Sequence, residues 1–482
     1  MNQVRMPVYE ALDAFSKKNV IPFDVPGHKR GKNMKNLADA FGARSLSLDV
    51  NSMPVLDNLN YPNGVIAEAQ ALMAEAFGSE YAFFIVNGTT LAVQSMILSV
   101  CGPGDKILLP RNVHKCVINS LILCDAHPVY MQAEISAEYG FATGVTLETV
   151  RKSIDLNPDA KAVLLVNPTY YGICSQMKDI IDYAHLKGIA VLVDEAHGAH
   201  FGFHDELPEN AMRSGADIAA LSMHKTGGSL TQSSAVLLNS KLIDRDHVQS
   251  ILNILHTTSA SYLLLASLDI ARANLAVNGN RIFTDILGMV RKAREEINTI
   301  PGLSAFGTDI IGSPGVFNFD ETKLVVNVAD TGLTGFDAYD ILLDEYNIQL
   351  ELADVHNILA IISLGDTAEN LTALTHALRD MSAKYSKTRK VIEFPEIPLA
   401  NPVIMMNPRE AFYSSKCFKE LDSCIGGVCA ESVMIYPPGI PILAPGEYIT
   451  KEIIDYVKFL KSHHAKLTDM NDKSLEKLLV IS

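Results

Sequence analysis

The chain has 482 residues, with 48% hydrophobic and 20% charged side chains, and its 55 acidic against 40 basic residues give a net charge of −15. This length suffices for two or three domains around a large dry core, and the composition excludes disorder and fibrous repeats. The excess of carboxylates opposes general nucleic-acid binding, which needs basic groups to neutralise phosphates.

Residues 1–64 are punctuated by Pro22, Pro26, Gly27, Gly31, Pro54, Pro62 and Gly64 and show little helical or alternating period, which reads as an extended arm followed by a loop. From Val65 the pattern changes to helices alternating with the short apolar runs YAFFIV (81–86), KILLP (106–110), AVLLV (162–166), AVLVDE (190–195) and IAALS (218–222). Such runs separated by helices imply a mainly parallel sheet flanked by helices, whose ligands bind beyond the carboxyl ends of its strands. This large α/β domain is expected over 65–300, and it includes a long helical region from about 260 that starts SYLLLASLDIARANLA. A smaller α/β domain is expected over 301–390, from KLVVNVAD (323–330), the acidic helical stretch FDAYDILLDEY (336–346) and ILAIISLGD (358–366). The region 391–482, holding PEIPLANP and YPPGIPILAPGE, reads as loop-rich. The seven cysteines are odd in number and form no CxxC pair, so no disulfide framework and no metal site is expected. The N-terminus lacks a signal-peptide core, and no stretch approaches the ~18 apolar residues of a membrane span, which places the chain in the cytoplasm with no membrane partner.

Chemistry concentrates where these strands end. After YAFFIV comes Asn87-Gly88-Thr89-Thr90, a glycine that permits close backbone approach followed by two hydroxyls at a helix N-terminus. Free N–H groups and the positive end of the helix dipole make this a phosphate cradle, although Gly-Thr-Thr alone also serves as an ordinary helix cap. AVLVDEAHGAHFGFH (190–204) ends a strand with Asp194, beside the small residues Ala196 and Gly198. A carboxylate there can hold a pyridine nitrogen protonated and deepen an electron sink. In IAALSMHKTGGSLTQSS (218–234) the next strand ends with Ser222, His224 and Lys225, a lysine placed to form an imine with an aldehyde. A phosphate loop, a strand-end aspartate and a lysine after the next strand, in that order, are what a fold-type-I enzyme dependent on pyridoxal 5'-phosphate requires.

The strings DVPGHKRG (24–31), PRNVHK (110–115), NPTYYG (167–172), DEAHGAHFGFH (194–204), SMHKTGG (222–228), LHTTSASYLLLASLD (255–269) and YPPGIPILAPGE (436–447) resemble the ornithine/lysine/arginine decarboxylase family, most of all its short bacterial arginine decarboxylase branch. The resemblance runs in order from about residue 7 to about residue 450. It implies that Lys225 carries the cofactor aldehyde, that Asp194 faces the pyridine nitrogen and that His114 stacks on the ring. It also implies that Thr89, Thr90, Ser222 and His224 surround the phosphate, with Ala196 and His197 near the cofactor and Thr257 and Thr258 arriving from a neighbouring subunit. Larger family members carry an additional N-terminal domain for higher assembly, so a homodimer or homotetramer with the active site at the subunit interface is expected here.

The implied reaction is decarboxylation of a basic amino acid, arginine to agmatine, with lysine and ornithine as the other substrates. His224 is placed first, and Lys225 second, as donor of the proton to Cα. A basic tail needs a carboxylate, and Glu447 in APGE and Asp24 in DVPGHKRG are the candidates. An aminotransferase or an aldolase of the same fold is the more distant reading. The former usually fixes its substrate with a small-domain arginine, and 320–390 offers only Arg379 and Arg389. A catalytically silent binding protein of this fold would be expected to lose the lysine or the aspartate, and both are present.

Overall fold

The computed structural model describes residues 1–18, 20–136, 138–239, 241–386, 402–435, 439–463 and 465–482. The five apolar runs form the strands Tyr81–Ile85, Lys106–Pro110, Ala162–Val166, Ala190–Asp194 and Ile218–Leu221. Two strands not singled out in the sequence, His127–Met131 and Ser234–Leu238, complete a seven-stranded sheet. Its order is Tyr81–Ile85, Ser234–Leu238, Ile218–Leu221, Ala190–Asp194, Ala162–Val166, Lys106–Pro110, His127–Met131. Ser234–Leu238 runs antiparallel to both neighbours, whereas Lys106–Pro110 is parallel to both of its own. The central strands are buried along their whole length, as expected for a sheet covered on both faces.

Two units divide the chain, residues 1–99 with 192–283 and residues 100–191 with 284–482, and the boundary falls within the strand Ala190–Asp194. In the first unit the segment expected to be an extended arm instead contains the helices Pro7–Ser16, Lys35–Phe41 and Ala43–Leu48. Pro7 opens the first of these, where its fixed φ suits helix entry, and Val8 and Leu12, one turn apart, are buried. The anchor comes from the 36-residue helix Tyr262–Ile297. Asp269 accepts the Val8 N–H at 2.9 Å, and Arg272 donates to the Gln3 carbonyl at 2.7 Å while pairing with Asp269 at 2.6 Å. Both of these charged side chains are fully buried, so each neutralises the other. The Pro- and Gly-rich stretch that follows is organised by Asp57, whose carboxylate accepts the N–H groups of Asn58, Asn63, Gly64 and Ile66 at 2.7 to 3.1 Å. It thereby caps the helix Val65–Phe77.

The second unit contains an antiparallel sheet in the order Lys323–Asn327, Asn357–Ile361, Leu352–Ala353, with the helices Gly335–Tyr346 and Ala368–Tyr385. The acidic helix starts at a reciprocal cap between Thr334 and Asp337. The region expected to be loop-rich is more regular than that. It pairs Lys416–Glu420 with Lys477–Ile481, places Val433–Ile435 between Ile440–Leu443 and Leu467–Thr468, and adds the helix Lys451–Ser462. Val433, Leu443, Ile454, Val457, Leu478 and Val480 form a core there. Residues 395–401 of PEIPLANP and 436–438 of YPPGIPILAPGE lie outside the described residues. Among the described residues no helix is long and apolar enough to cross a membrane.

Candidate active site

The parallel strands Ala190–Asp194 and Ile218–Leu221 pair Asp194 with Ala220 and release the chain at adjacent ends. Asp194 is buried, and its Oδ1 accepts the Ala196 N–H at 3.2 Å. Burial raises its carboxyl above the usual range, and the charge of Lys225 works against that rise. The turn after Asp194 closes with Gly198 N–H donating to the Glu195 carbonyl at 2.9 Å. A Cβ at Gly198 would stand 2.7 Å from Glu195 Cγ and 2.9 Å from the Phe201 ring, so any larger residue there would force these side chains to shift. It presents His197, which is buried.

On the neighbouring strand, Ser222 precedes the short helix Met223–Thr226, which carries His224 and Lys225. Lys225 Nζ lies 2.8 Å from His197 Nε2. His224 Nδ1 is 2.9 Å from the Ser233 carbonyl, and because a carbonyl only accepts, this nitrogen carries the proton. Asp194, Ala196, His197, His224 and Lys225 thus fall within two consecutive strand-end turns.

The start of the helix Gly88–Leu98 adjoins these turns. Thr146, Asp244, Thr334, Thr367 and Thr450 are among the side chains that cap helix starts elsewhere in the chain, but Asn87 caps no N–H of the helix Gly88–Leu98. Gly88 takes φ +79° and leaves open space where a Cβ would stand. Thr89 Oγ1 bonds the hydroxyl of Ser222 and, at 2.6 Å, that of Ser234. An uncapped helix start bearing a hydroxyl cluster suits an anion and adds no charge of its own. Thr90 is exposed in the first turn.

Thr257 lies beside the same turn, its N–H donating to Asn87 Oδ1 at 3.4 Å. The resemblance has this threonine arriving from a neighbouring subunit; within one chain its backbone already reaches that chain's own cradle. Thr258 is exposed. His256, just before them, is buried with neither ring nitrogen bonded, and burial pushes its pKa down to about 4. Asp24 is exposed on the N-terminal segment.

His114 and Glu447 belong to the second unit. His114 caps the helix Lys115–Cys124, its Nδ1 accepting the Cys116 N–H at 3.2 Å. Glu447, expected as a loop acid over a pocket, is 1% exposed and engaged internally. Arg111 donates to it at 2.9 Å, and so does the Ala444 N–H. Its burial raises the carboxyl pKa, and Arg111 opposes that rise.

Three residues with evident roles were not assigned from the sequence. Ser234 sits in the hydroxyl cluster, at the start of a strand only ten positions beyond His224. Glu195 is fully buried beside Asp194 and accepts the Ala211 N–H at 2.8 Å, with its pKa raised well above the usual carboxylate range by burial. Arg111 stands in the quoted PRNVHK string, but its partner is far along the chain.

A mainly parallel seven-stranded sheet, with an aspartate and a lysine at the ends of neighbouring strands and an uncapped helix start beside them, is the fold-type-I architecture shared by a large class of pyridoxal-phosphate enzymes. The solved Francisella novicida lysine decarboxylase superposes with a TM-score of 0.85 over 99% of this chain and 81% of that one, at 20% identity, a likeness of fold. The sequence matches the Orn/Lys/Arg decarboxylase major domain over residues 6–370 and the C-terminal domain of the same family over 395–469. It is 43% identical to a Bacillus anthracis arginine decarboxylase across 100% of this chain and 98% of that one, and 43% identical to a Bacillus subtilis arginine decarboxylase across 95% and 94%. The chain belongs to the Orn/Lys/Arg decarboxylase family.

Proposed function

We propose that the protein converts L-arginine to agmatine and CO2 with pyridoxal 5'-phosphate held at Lys225. The observation that carries this reading is the Lys225 amine 2.8 Å from His197 and beside the buried Asp194, in a chain 43% identical end to end to an arginine decarboxylase. The residues present fit the cofactor. Lys225 offers the amine for its aldehyde, and Asp194 offers a buried carboxylate whose charge calls for a cationic partner such as a protonated ring nitrogen. The uncapped helix start at Gly88 and the hydroxyls of Thr89, Thr90 and Ser222 suit its phosphate. Bound there, the cofactor supplies a conjugated ring that accepts the electron pair left when the bond from Cα to the carboxylate breaks.

This chain's residues then select and finish the reaction. His197 orients the Lys225 amine. His224, its Nδ1 committed to Ser233, would deliver the proton to Cα through Nε2, with Lys225 as the other candidate. His114 supplies a flat ring to pack on the cofactor face. Asp24, exposed on the N-terminal segment, is the carboxylate offered to the guanidinium tail. The acidic, cysteine-reduced chain is assigned to the cytoplasm as a homodimer or homotetramer, in which the exposed Thr258 is presented to a neighbouring subunit.

Incubation of the purified, cofactor-loaded protein with arginine, lysine and ornithine separately, followed by mass identification of the product, tests the reading. Agmatine is expected. Cadaverine or putrescine would move the substrate within the family, a keto acid would indicate amino transfer, and no product from any of the three would overturn the assignment.

A further inference from the structure

We infer that Arg111 and Glu447 are positioning residues that set the orientation of His114. The inference rests on the reading of His114 as a cofactor-facing ring, and it moves Glu447 from the substrate tail to the support of that ring. Arg111 follows the strand Lys106–Pro110 directly and precedes His114 by three residues. Its guanidinium donates to Glu447 Oε2 at 2.9 Å and to the Ile442 carbonyl at 3.3 Å, with Tyr130 packed beneath at 5.4 Å. On the other side of His114, the Lys115 N–H donates to the Gly439 carbonyl at 3.1 Å, and the Lys115 ammonium pairs with Asp469 at 3.1 Å. The segment 439–447 therefore grips both flanks of the histidine.

His114 itself has little freedom between these anchors, because its Nδ1 accepts from Cys116 and so fixes the ring as a helix cap. The Arg111 and Glu447 side chains are 9% and 2% exposed, so solvent screens their attraction little. Removing the Glu447 charge leaves Arg111 uncompensated in the interior, and replacing the Arg111 fork with the single ammonium of lysine breaks the geometry that reaches both Glu447 and the Ile442 carbonyl. The nearest element able to respond is the five-residue stretch that ends in the His114 cap.

The test compares Glu447→Gln and Arg111→Lys with His114→Ala in the full chain, measuring pyridoxal phosphate affinity of the apoprotein, visible circular dichroism of the bound cofactor, and steady-state kinetics. Glu447→Gln and Arg111→Lys are expected to weaken cofactor affinity about tenfold and reduce the dichroic band, with KM for arginine in the saturated enzyme changed less than about twofold. Should a single variant fail to fold, Arg111→Met/Glu447→Gln removes both charges together and is expected to show the same cofactor effects. A large rise in KM with cofactor affinity and dichroism unchanged would return Glu447 to the substrate tail and overturn the inference. Unchanged cofactor affinity and dichroism in these variants, alongside altered values in His114→Ala, would overturn it as well. If His114→Ala itself leaves affinity and dichroism unchanged, the reading of His114 fails instead.

Discussion

The side-chain amine of Lys225 lies 2.8 Å from Nε2 of His197. An ammonium can only donate, so the imidazole accepts whenever the lysine is charged, and the histidine is one of the groups that hold the amine in place. Lys225→Ala is expected to abolish turnover and the visible absorption that follows cofactor addition. His197→Phe keeps a flat ring without an acceptor and is expected to slow turnover by ~10²-fold, the scale of a misplaced reacting group. Initial rates and absorption spectra of the two variants check this, and an unimpaired His197→Phe enzyme would remove the histidine from the mechanism.

Asp194 should trade stability for function. Burial raises its carboxyl above 3.8, so its contribution to folding is fully present at low pH and is lost as pH rises through the shifted value. Asparagine avoids that loss. Thermal melting of apo Asp194→Asn is therefore expected to match wild type only below pH 3.8 and to exceed it at pH 7.5, while decarboxylation at pH 7.5 collapses. An apoprotein less stable than wild type at neutral pH would contradict this account.

The hydroxyl cluster makes a prediction of a different kind. Ser222 and Ser234 are fully buried, and both bond Thr89 Oγ1. Thr89→Val strands two buried hydroxyls and is expected to destabilise the apoprotein by ~2 kcal/mol. It should also weaken cofactor binding by about tenfold, roughly the effect of one lost hydrogen bond to a charged group. Thr89→Ser restores the oxygen and should rescue both. Urea unfolding and cofactor titration, with inorganic phosphate as competitor, separate the two effects.

Arg272 provides a check on the fold away from the chemistry. Arg272→Met leaves Asp269 charged and unmatched in the interior, with an expected loss of ~3–5 kcal/mol. Arg272→Met/Asp269→Leu should recover a large part of this in denaturant unfolding. Equal losses in the single and double variants would mean that the carbonyls of Gln3 and Arg5, and not the charge balance, set the energy.

Local pattern determined much of this architecture. Runs such as AVLLV and KILLP became strands with unchanged bounds, because a sheet covered on both faces demands continuous apolar segments. HPVYM, with only three apolar side chains, and SAVLL, which follows a Gly-, Ser- and Thr-rich stretch, lack that length or contrast, and they supplied the two remaining strands. The helix Pro7–Ser16 escaped notice although Pro7 at its entry and the Val8–Leu12 spacing are local signals, because the proline- and glycine-rich stretch that follows dominates the segment; its anchor on Asp269 and Arg272 lies in no window of neighbouring residues. In the site, Asp194 and Lys225 were legible because strand ends expose them in a fixed order. Glu447 was legible as an acid, but Arg111, the partner that takes up its charge, was not.

Gly88 adopts φ +79° with nothing crowding the place where a side chain would begin, so what bars other residues is handedness and not bulk. An L-amino acid would face a conformational penalty of ~1–2 kcal/mol at that point, smallest for asparagine. A D-amino acid introduced by chemical ligation would meet no such backbone penalty. The turn thus depends, at its first step, on the one encoded building block that is its own mirror image.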